Sequence, residues 1–159
     1  MSLRDFLVAR RKAEYKAFSN VLRALPADKY DYKPHDRSPS AKQLVWTLTA
    51  EQAACIEIAT KGRTEWREVP IPAADAMVAQ FEREYPTLTD IIAGLDDEAW
   101  VSKGQLVLGE QTWEQPVGEF LWFILFDAIH HRGQLSTYIR PMGGKVPAIY
   151  GPSADDPGQ

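Results

Sequence analysis

Apolar residues recur every three or four positions in four long stretches of the chain, which is the spacing of one face of an α-helix. Helix-ending residues follow three of these stretches, namely Pro26, Gly62 and Pro141. In the third stretch Pro86 falls mid-helix and predicts a kink or a brief break, because proline removes one backbone hydrogen bond. The predicted helices cover residues 2–25, 38 or 40 to 61, 73–95 and 116–140.

The segments between these helices are rich in turn-forming residues. Residues 27–39 and residues 62–72 are predicted to be loops, and residues 96–98 form an acidic stretch. Residues 105–108 and 111–113 flank Gly109 and Glu110, a pattern typical of a short β-hairpin. Proline and glycine are dense after residue 143, so this tail is expected to lie across the outside of the helices.

Together these elements predict an all-α fold, a four-helix bundle with a short β-hairpin before the last helix. A chain of 159 residues fits one domain and is long enough to bury a core. No linker-like change in composition divides it, so the prediction is a single helical domain over residues 1–159.

Two of the predicted helices carry polar pairs beside their apolar stripes. Asp127 and His131 are one turn apart on the last helix, and Thr47 and Glu51 repeat this arrangement on the second. Two ligands at i and i+4 can chelate a divalent metal if a facing helix supplies a third. The spacing alone favours a simpler interpretation, in which Asp127 is solvated or pairs with Arg132 or His130 and His131 is a partly buried histidine hydrogen-bonded to a neighbour. His130 lies about 100° around the helix from His131 and is expected to point elsewhere.

Composition and charge exclude several classes of protein. The formal net charge is −4 and the basic residues are scattered, which argues against nucleic acid as a partner. Charged residues interrupt the apolar positions at the N-terminus, and no charge-free run reaches membrane-spanning length, so a soluble cytoplasmic protein is expected. Cys55, the one cysteine, lies among small apolar residues and is predicted to be a core residue rather than a nucleophile.

The last helix is apolar around its whole circumference near its start. One bundle interior cannot cover every side of such a helix, which predicts a homodimer that buries the outer side. The residues that carry this prediction are Phe120, Trp122, Phe123, Leu125 and Phe126.

Residues 127–156, from DAIHHRGQLSTYIRPMGG to the tail IYGPSADD, strongly resemble the C-terminal signature of the DinB-like (DNA-damage-inducible) superfamily of metal-dependent enzymes. Residues 29–52 resemble it more weakly. The resemblance implies a four-helix bundle, often dimeric, that holds a divalent metal, commonly nickel or zinc, with three histidines. One histidine comes from helix two, and two that are four residues apart come from helix four. Some relatives are thiol-dependent transferases or isomerases, and most have no assigned reaction.

This chain departs from that pattern at the ligands themselves. The helix-two histidine falls at Thr47 and the first helix-four histidine at Asp127, so only His131 is retained. Glu51 lies one turn from Thr47 and could supply a second carboxylate. Such a donor set shifts the preference toward harder ions such as Mn²⁺ or Fe²⁺.

Two hypotheses follow for function. In the first, the chain is a metal-dependent enzyme of the hydrolase or thiol-transferase class, with Arg132 or Tyr138 steadying an anionic substrate. In the second, the metal has been lost, and the bundle binds small molecules or acts as a stress-related dimer module without catalysis. The identity of the substrate lies beyond the sequence.

Overall fold

Four long helices form a ring in which each helix packs against two neighbours. The structure is a computed structural model of the chain and describes residues 1–158. The long helices are α1 (Leu3–Ala24), α2 (Ala41–Lys61), α3 (Ala74–Gly94) and α5 (Val117–Ile139), and α4 (Asp97–Val101) is a short helix before the hairpin. Around the ring the order is α1, α3, α2, α5. None of the helices in residues 1–158 is long and apolar enough to span a bilayer.

The side-chain contacts fix the directions of the helices. Phe6 contacts Trp122, and Glu14 contacts Arg132, so α1 and α5 run parallel although they lie at opposite ends of the chain. The hydroxyl of Tyr138 donates to the Pro39 carbonyl just before α2, which places the end of α5 beside the start of α2 and makes these two helices antiparallel. The buried Arg132 of α5 therefore faces α1, whereas Tyr138 faces the start of α2.

Local sequence signals set the helix ends. Ser2 and Ser40 each accept a hydrogen bond from the third backbone N–H of the helix that follows, and Asp5 and Gln43 complete the two capping boxes. Of the two caps expected for α2, the structure uses Ser40. Gly62 ends α2 with a φ of 71°, which a glycine adopts without strain.

Of the kink or brief break predicted at Pro86, the break does not occur, because α3 continues through it as one α-helix. Proline lacks the N–H that would have bonded the carbonyl of Glu82 one turn earlier. The hydroxyl of Tyr15 on α1 lies 3.4 Å from that carbonyl and donates to it instead. A contact from a neighbouring helix thus replaces the missing hydrogen bond.

The hairpin prediction is confirmed, and the sheet is larger than expected. β2 (Lys103–Leu108) and β3 (Gln111–Pro116) pair in antiparallel fashion around Gly109. β1 (Arg63–Trp66), which was predicted to be loop, adds to β2 in parallel. The acidic stretch opens the short helix α4, which was not predicted, and Asp96 caps it by accepting a hydrogen bond from the backbone N–H of Ala99.

The hairpin covers part of the apolar circumference of α5. Phe120 and Leu125 are fully buried, and Trp113 of β3 packs edge-on against Phe120 at a ring distance of 5.2 Å. Phe123 and Phe126 stay 44% and 62% exposed. One chain therefore buries more of this helix than the sequence suggested, and the homodimer stays a prediction.

The C-terminal tail lies along the outside of α1 and α5, as expected. The hydroxyl of Tyr150 donates to Glu14 of α1 and accepts a hydrogen bond from Arg132 of α5. Arg140 pairs with Asp155 at 2.8 Å. The tail is thus fixed by polar contacts to the bundle rather than by a helix of its own.

Candidate functional site

Glu51 of α2 and the pair Asp127 and His131 of α5 meet between the two helices. One potential ligand atom from each of these side chains lies within 4.8 Å of the other two. The pair on α5 is one turn apart, and the antiparallel packing of α2 brings Glu51 to the same level of the bundle. The structure therefore brings Glu51, Asp127 and His131 together, as the sequence predicted.

Hydrogen bonds hold the imidazole of His131 in one orientation. Its Nδ1 lies 2.8 Å from Oε1 of Gln134, three residues further along α5, and its Nε2 lies 3.2 Å from Oδ2 of Asp127. In the tautomer with its proton on Nδ1, the ring donates to the amide oxygen of Gln134, which only accepts. Nε2 then faces the carboxylates, and its lone pair can bind a metal ion. The contact of Gln134 with His131 was not predicted from the sequence, although their i, i+3 spacing on one helix indicates that the two side chains can meet.

Glu51 has the most unusual environment in the cluster. Its side chain is buried, and its Oε2 has no hydrogen-bond partner among the described residues. Burial, and then the neighbouring carboxyl group of Asp127, raise the pKa of Glu51 to about 10. Two negative charges this close repel each other, and a proton or a cation between the carboxyl groups removes that repulsion.

The cluster opens toward solvent on its α5 side. The side chains of Asp127 and His131 are 34% and 20% exposed, whereas Glu51 forms the closed end. A metal ion can thus reach the cluster from the α5 side, and the buried carboxyl group lies behind it.

Thr47, the remaining residue of the predicted ligand set, and His130, which was not predicted to be a ligand, do not join these three side chains. Thr47 is half-buried one turn before Glu51, and its hydroxyl donates to the Gln43 carbonyl of its own helix at 3.0 Å. Only the lone pairs of its oxygen remain available for a ligand. His130 is exposed, and its ring lies edge-on to that of His131, with 5.2 Å between the ring centroids.

The expected substrate contacts of Arg132 and Tyr138 were wrong. Arg132 is buried against α1, where its guanidinium pairs with Glu14 and stacks on Phe18. Tyr138 is buried too, and its hydroxyl is used by the Pro39 carbonyl. Each side chain faces a neighbouring helix or loop that the periodicity of α5 could not identify.

The prediction that Cys55 belongs to the core is confirmed. The thiol is buried one turn after Glu51 on α2, and burial raises its pKa to about 12. A thiol with such a pKa forms almost no thiolate near neutral pH, which excludes it as a nucleophile.

Glu51→Gln is expected to make the metal-free protein less sensitive to alkaline pH. Glu51 titrates near 4.5 in an unfolded chain but near 10 in the folded one, so the folded state keeps a proton that the unfolded state has released. Its contribution to stability is complete below pH 4.5 and is lost as the pH rises toward 10. Because glutamine cannot ionise, the free energy of unfolding of the variant at about pH 8.5 should exceed that of the wild type by about 1–3 kcal/mol.

Urea unfolding in the presence of a chelator, compared at about pH 5 and about pH 8.5, measures this difference. Glu68→Gln is the matched control, because Glu68 is exposed in a loop and its replacement should leave the pH dependence unchanged. A parallel pH dependence in wild type and Glu51→Gln would show that Glu51 ionises normally in the fold.

The fold and the cluster together define a class, namely helical bundles in which carboxyl and imidazole side chains of facing helices meet at one point. The DinB family model matches residues 4–158, and the chain belongs to this family. Over 43 residues it is 40% identical to the uncharacterized protein YrdA of Bacillus subtilis (strain 168), a match that covers 27% of this chain and 26% of that protein.

Solved structures share the fold at low sequence identity. A DinB-like protein of Bacillus subtilis, YjoA, superposes with a TM-score of 0.67 at 19% identity, covering 87% of this chain and 93% of its own. YfiT of Bacillus subtilis, described as a probable metal-dependent hydrolase with an unusual four-helix bundle topology, gives 0.68 at 11% identity and 89% coverage of both chains. A mycothiol-dependent maleylpyruvate isomerase gives 0.55 at 13% identity, with 91% of this chain and 62% of that one covered.

Proposed function

We propose that this chain is a metal-dependent enzyme of the hydrolase or thiol-transferase class whose ion is held by Glu51, Asp127 and His131. The observation that carries the proposal is that two carboxyl groups and one oriented imidazole meet within 4.8 Å. One of these carboxyl groups, that of Glu51, has a buried oxygen with no hydrogen-bond partner in the described residues. A divalent cation would satisfy that oxygen and remove the repulsion between the carboxylates.

The donor set favours the harder transition ions. Two carboxylates and one imidazole suit Mn²⁺ or Fe²⁺ better than a site of three histidines does, whereas Ni²⁺ and Zn²⁺ gain more from imidazole. Thr47 offers only a neutral oxygen at the position where the family pattern has a histidine. We therefore expect manganese or iron to bind in preference to nickel or zinc.

The residues around the ion have separate tasks. Gln134 fixes the ring of His131 so that Nε2 faces the site, and Glu51 closes the site from behind. When bound, a divalent ion supplies Lewis-acid chemistry suited to hydrolysis or to activation of a thiol. Because Cys55 is buried with a raised pKa, the thiol of a transfer reaction would come from a separate small molecule. Two of the structural neighbours, a probable metal-dependent hydrolase and a mycothiol-dependent isomerase, support this choice of classes.

Metal analysis of protein purified without chelator tests the proposal. We expect close to one equivalent of a transition ion in the wild type, and its loss in Asp127→Ala.

Thr47→His should raise the affinity for Zn²⁺ or Ni²⁺ by about tenfold or more, because it returns an imidazole to the site. The matched control is Thr60→His, since Thr60 is on α2 and also donates to a carbonyl one turn back, but is exposed. Less than about a tenth of an equivalent in the wild type, with no gain in Thr47→His, would contradict the proposal.

A second candidate, a metal-free binding module, is favoured by the raised pKa of Glu51. A proton held by Glu51 can take the place of the ion, since it also removes the repulsion between the carboxyl groups. This candidate predicts that metal content is at background and that Asp127→Ala does not change it.

A further inference from the structure

An apolar cleft lies between α1 and α5, on the opposite side of α5 from the Glu51 cluster. It has a volume of about 470 Å³ and apolar walls, which is within the range of pockets that take small organic ligands. Its lining comes from two stripes with helical spacing, Leu3, Phe6, Arg10 and Glu14 on α1 and Trp122, Leu125, Phe126 and Ile129 on α5.

Aromatic rings form the apolar part of this cleft. Trp122 contacts Phe6 at a ring distance of 5.8 Å and stacks on Phe126 at 5.5 Å. Leu125 is buried beneath them, whereas Phe6 and Phe126 stay 42% and 62% exposed. The cleft thus offers a continuous apolar surface to an apolar chain or ring, and such a surface costs free energy if water covers it.

The charged residues at the cleft carry a net positive charge. Glu14 is buried, and its negative charge is compensated by Arg132. Arg10 is exposed, lies over the Phe6 ring at 5.7 Å, and makes no ion pair within residues 1–158. One guanidinium therefore remains free to bind an anion beside the apolar walls.

We propose that this cleft binds a free carboxylate with an apolar tail, with the tail against Phe6, Trp122 and Phe126 and the carboxylate on Arg10. The Arg10 guanidinium donates two parallel hydrogen bonds to a carboxylate, which an alcohol or an ammonium group cannot accept in that way. The site does not share a ligand residue with the Glu51 cluster, and its occupation does not depend on metal.

Calorimetric titration with octanoate, below its micellar concentration and with a chelator present, tests this site. Octanoate is expected to bind about tenfold more tightly than octan-1-ol and more tightly still than octylammonium. In Arg10→Gln the preference over octan-1-ol should disappear, because only the apolar contacts remain. Ile129→Trp, which fills the cleft, should abolish binding of both compounds.

Phe126→Ala and Phe123→Ala form a matched pair, since both residues are exposed on α5 and only Phe126 lines the cleft. Binding should weaken in Phe126→Ala and stay at the wild-type level in Phe123→Ala, with thermal unfolding confirming that each variant is folded. Equal binding of octanoate and octan-1-ol by the wild type, or retained octanoate binding in Ile129→Trp, would overturn the proposal. So would a wild-type dimer that binds no octanoate and becomes monomeric in Phe126→Ala, because a second copy would then be the occupant.

Discussion

Replacing Arg132 with methionine is expected to lower the free energy of unfolding by about 3–5 kcal/mol. The guanidinium is buried, pairs with Glu14, and donates to the Tyr150 hydroxyl at 2.6 Å. Methionine fills much of the same volume but leaves the buried carboxylate of Glu14 without a positive charge. Urea unfolding at neutral pH, followed by circular dichroism, measures the loss.

Two further variants separate the ion pair from other effects of the substitution. Arg140→Met removes an exposed arginine from its pair with Asp155 and should cost less than about 1 kcal/mol. The double variant Glu14→Met/Arg132→Met removes both charges and should recover most of the lost stability. If Arg132→Met proves no more destabilising than Arg140→Met, the buried pair does not stabilise the fold in the way described.

His131→Ala is expected to weaken the binding of Mn²⁺ by about 100-fold or more. The substitution removes the one imidazole of the cluster and leaves only the two carboxyl groups, of which Glu51 binds its proton tightly. Titration of the metal-free protein with Mn²⁺, followed by calorimetry, gives the two affinities directly.

His130→Ala is the control for this experiment, because it removes an adjacent but exposed histidine from the same helix. Its affinity for Mn²⁺ should match that of the wild type. Equal losses in the two variants would mean that the ion binds at the surface of α5 rather than between α2 and α5.

The long helices could be predicted from sequence because burial of one helical face leaves a local pattern. The stripe of α5 is an example, since Leu121, Ala128 and Leu135 are all buried as expected. β1 left no such pattern: Arg63–Trp66 alternates only weakly, and it is a strand because it pairs with Gln105–Leu108, about forty residues away. α4 was missed because five residues are too few to show a helical period.

The candidate site could be predicted from two separate signals. Helical spacing placed Asp127 beside His131, and the family resemblance, which has a ligand at Thr47 one turn before Glu51, added the second helix. The role of Arg132 could not be predicted in the same way, because its partner Glu14 is 118 residues away on a helix whose direction the sequence does not reveal. Helical periodicity shows that a side chain points inward, but not which neighbour it meets.

The contact of Tyr150 with Glu14 and Arg132 bears on how shortened forms of this protein would behave. A deletion that removes Tyr150 would take away the side chain that shares its hydroxyl with both members of the buried ion pair. Water would then reach the seam between the first and last long helices, although neither helix had been altered. A truncation intended to trim the tail should therefore end after residue 150, and proteolysis upstream of it would loosen the bundle itself.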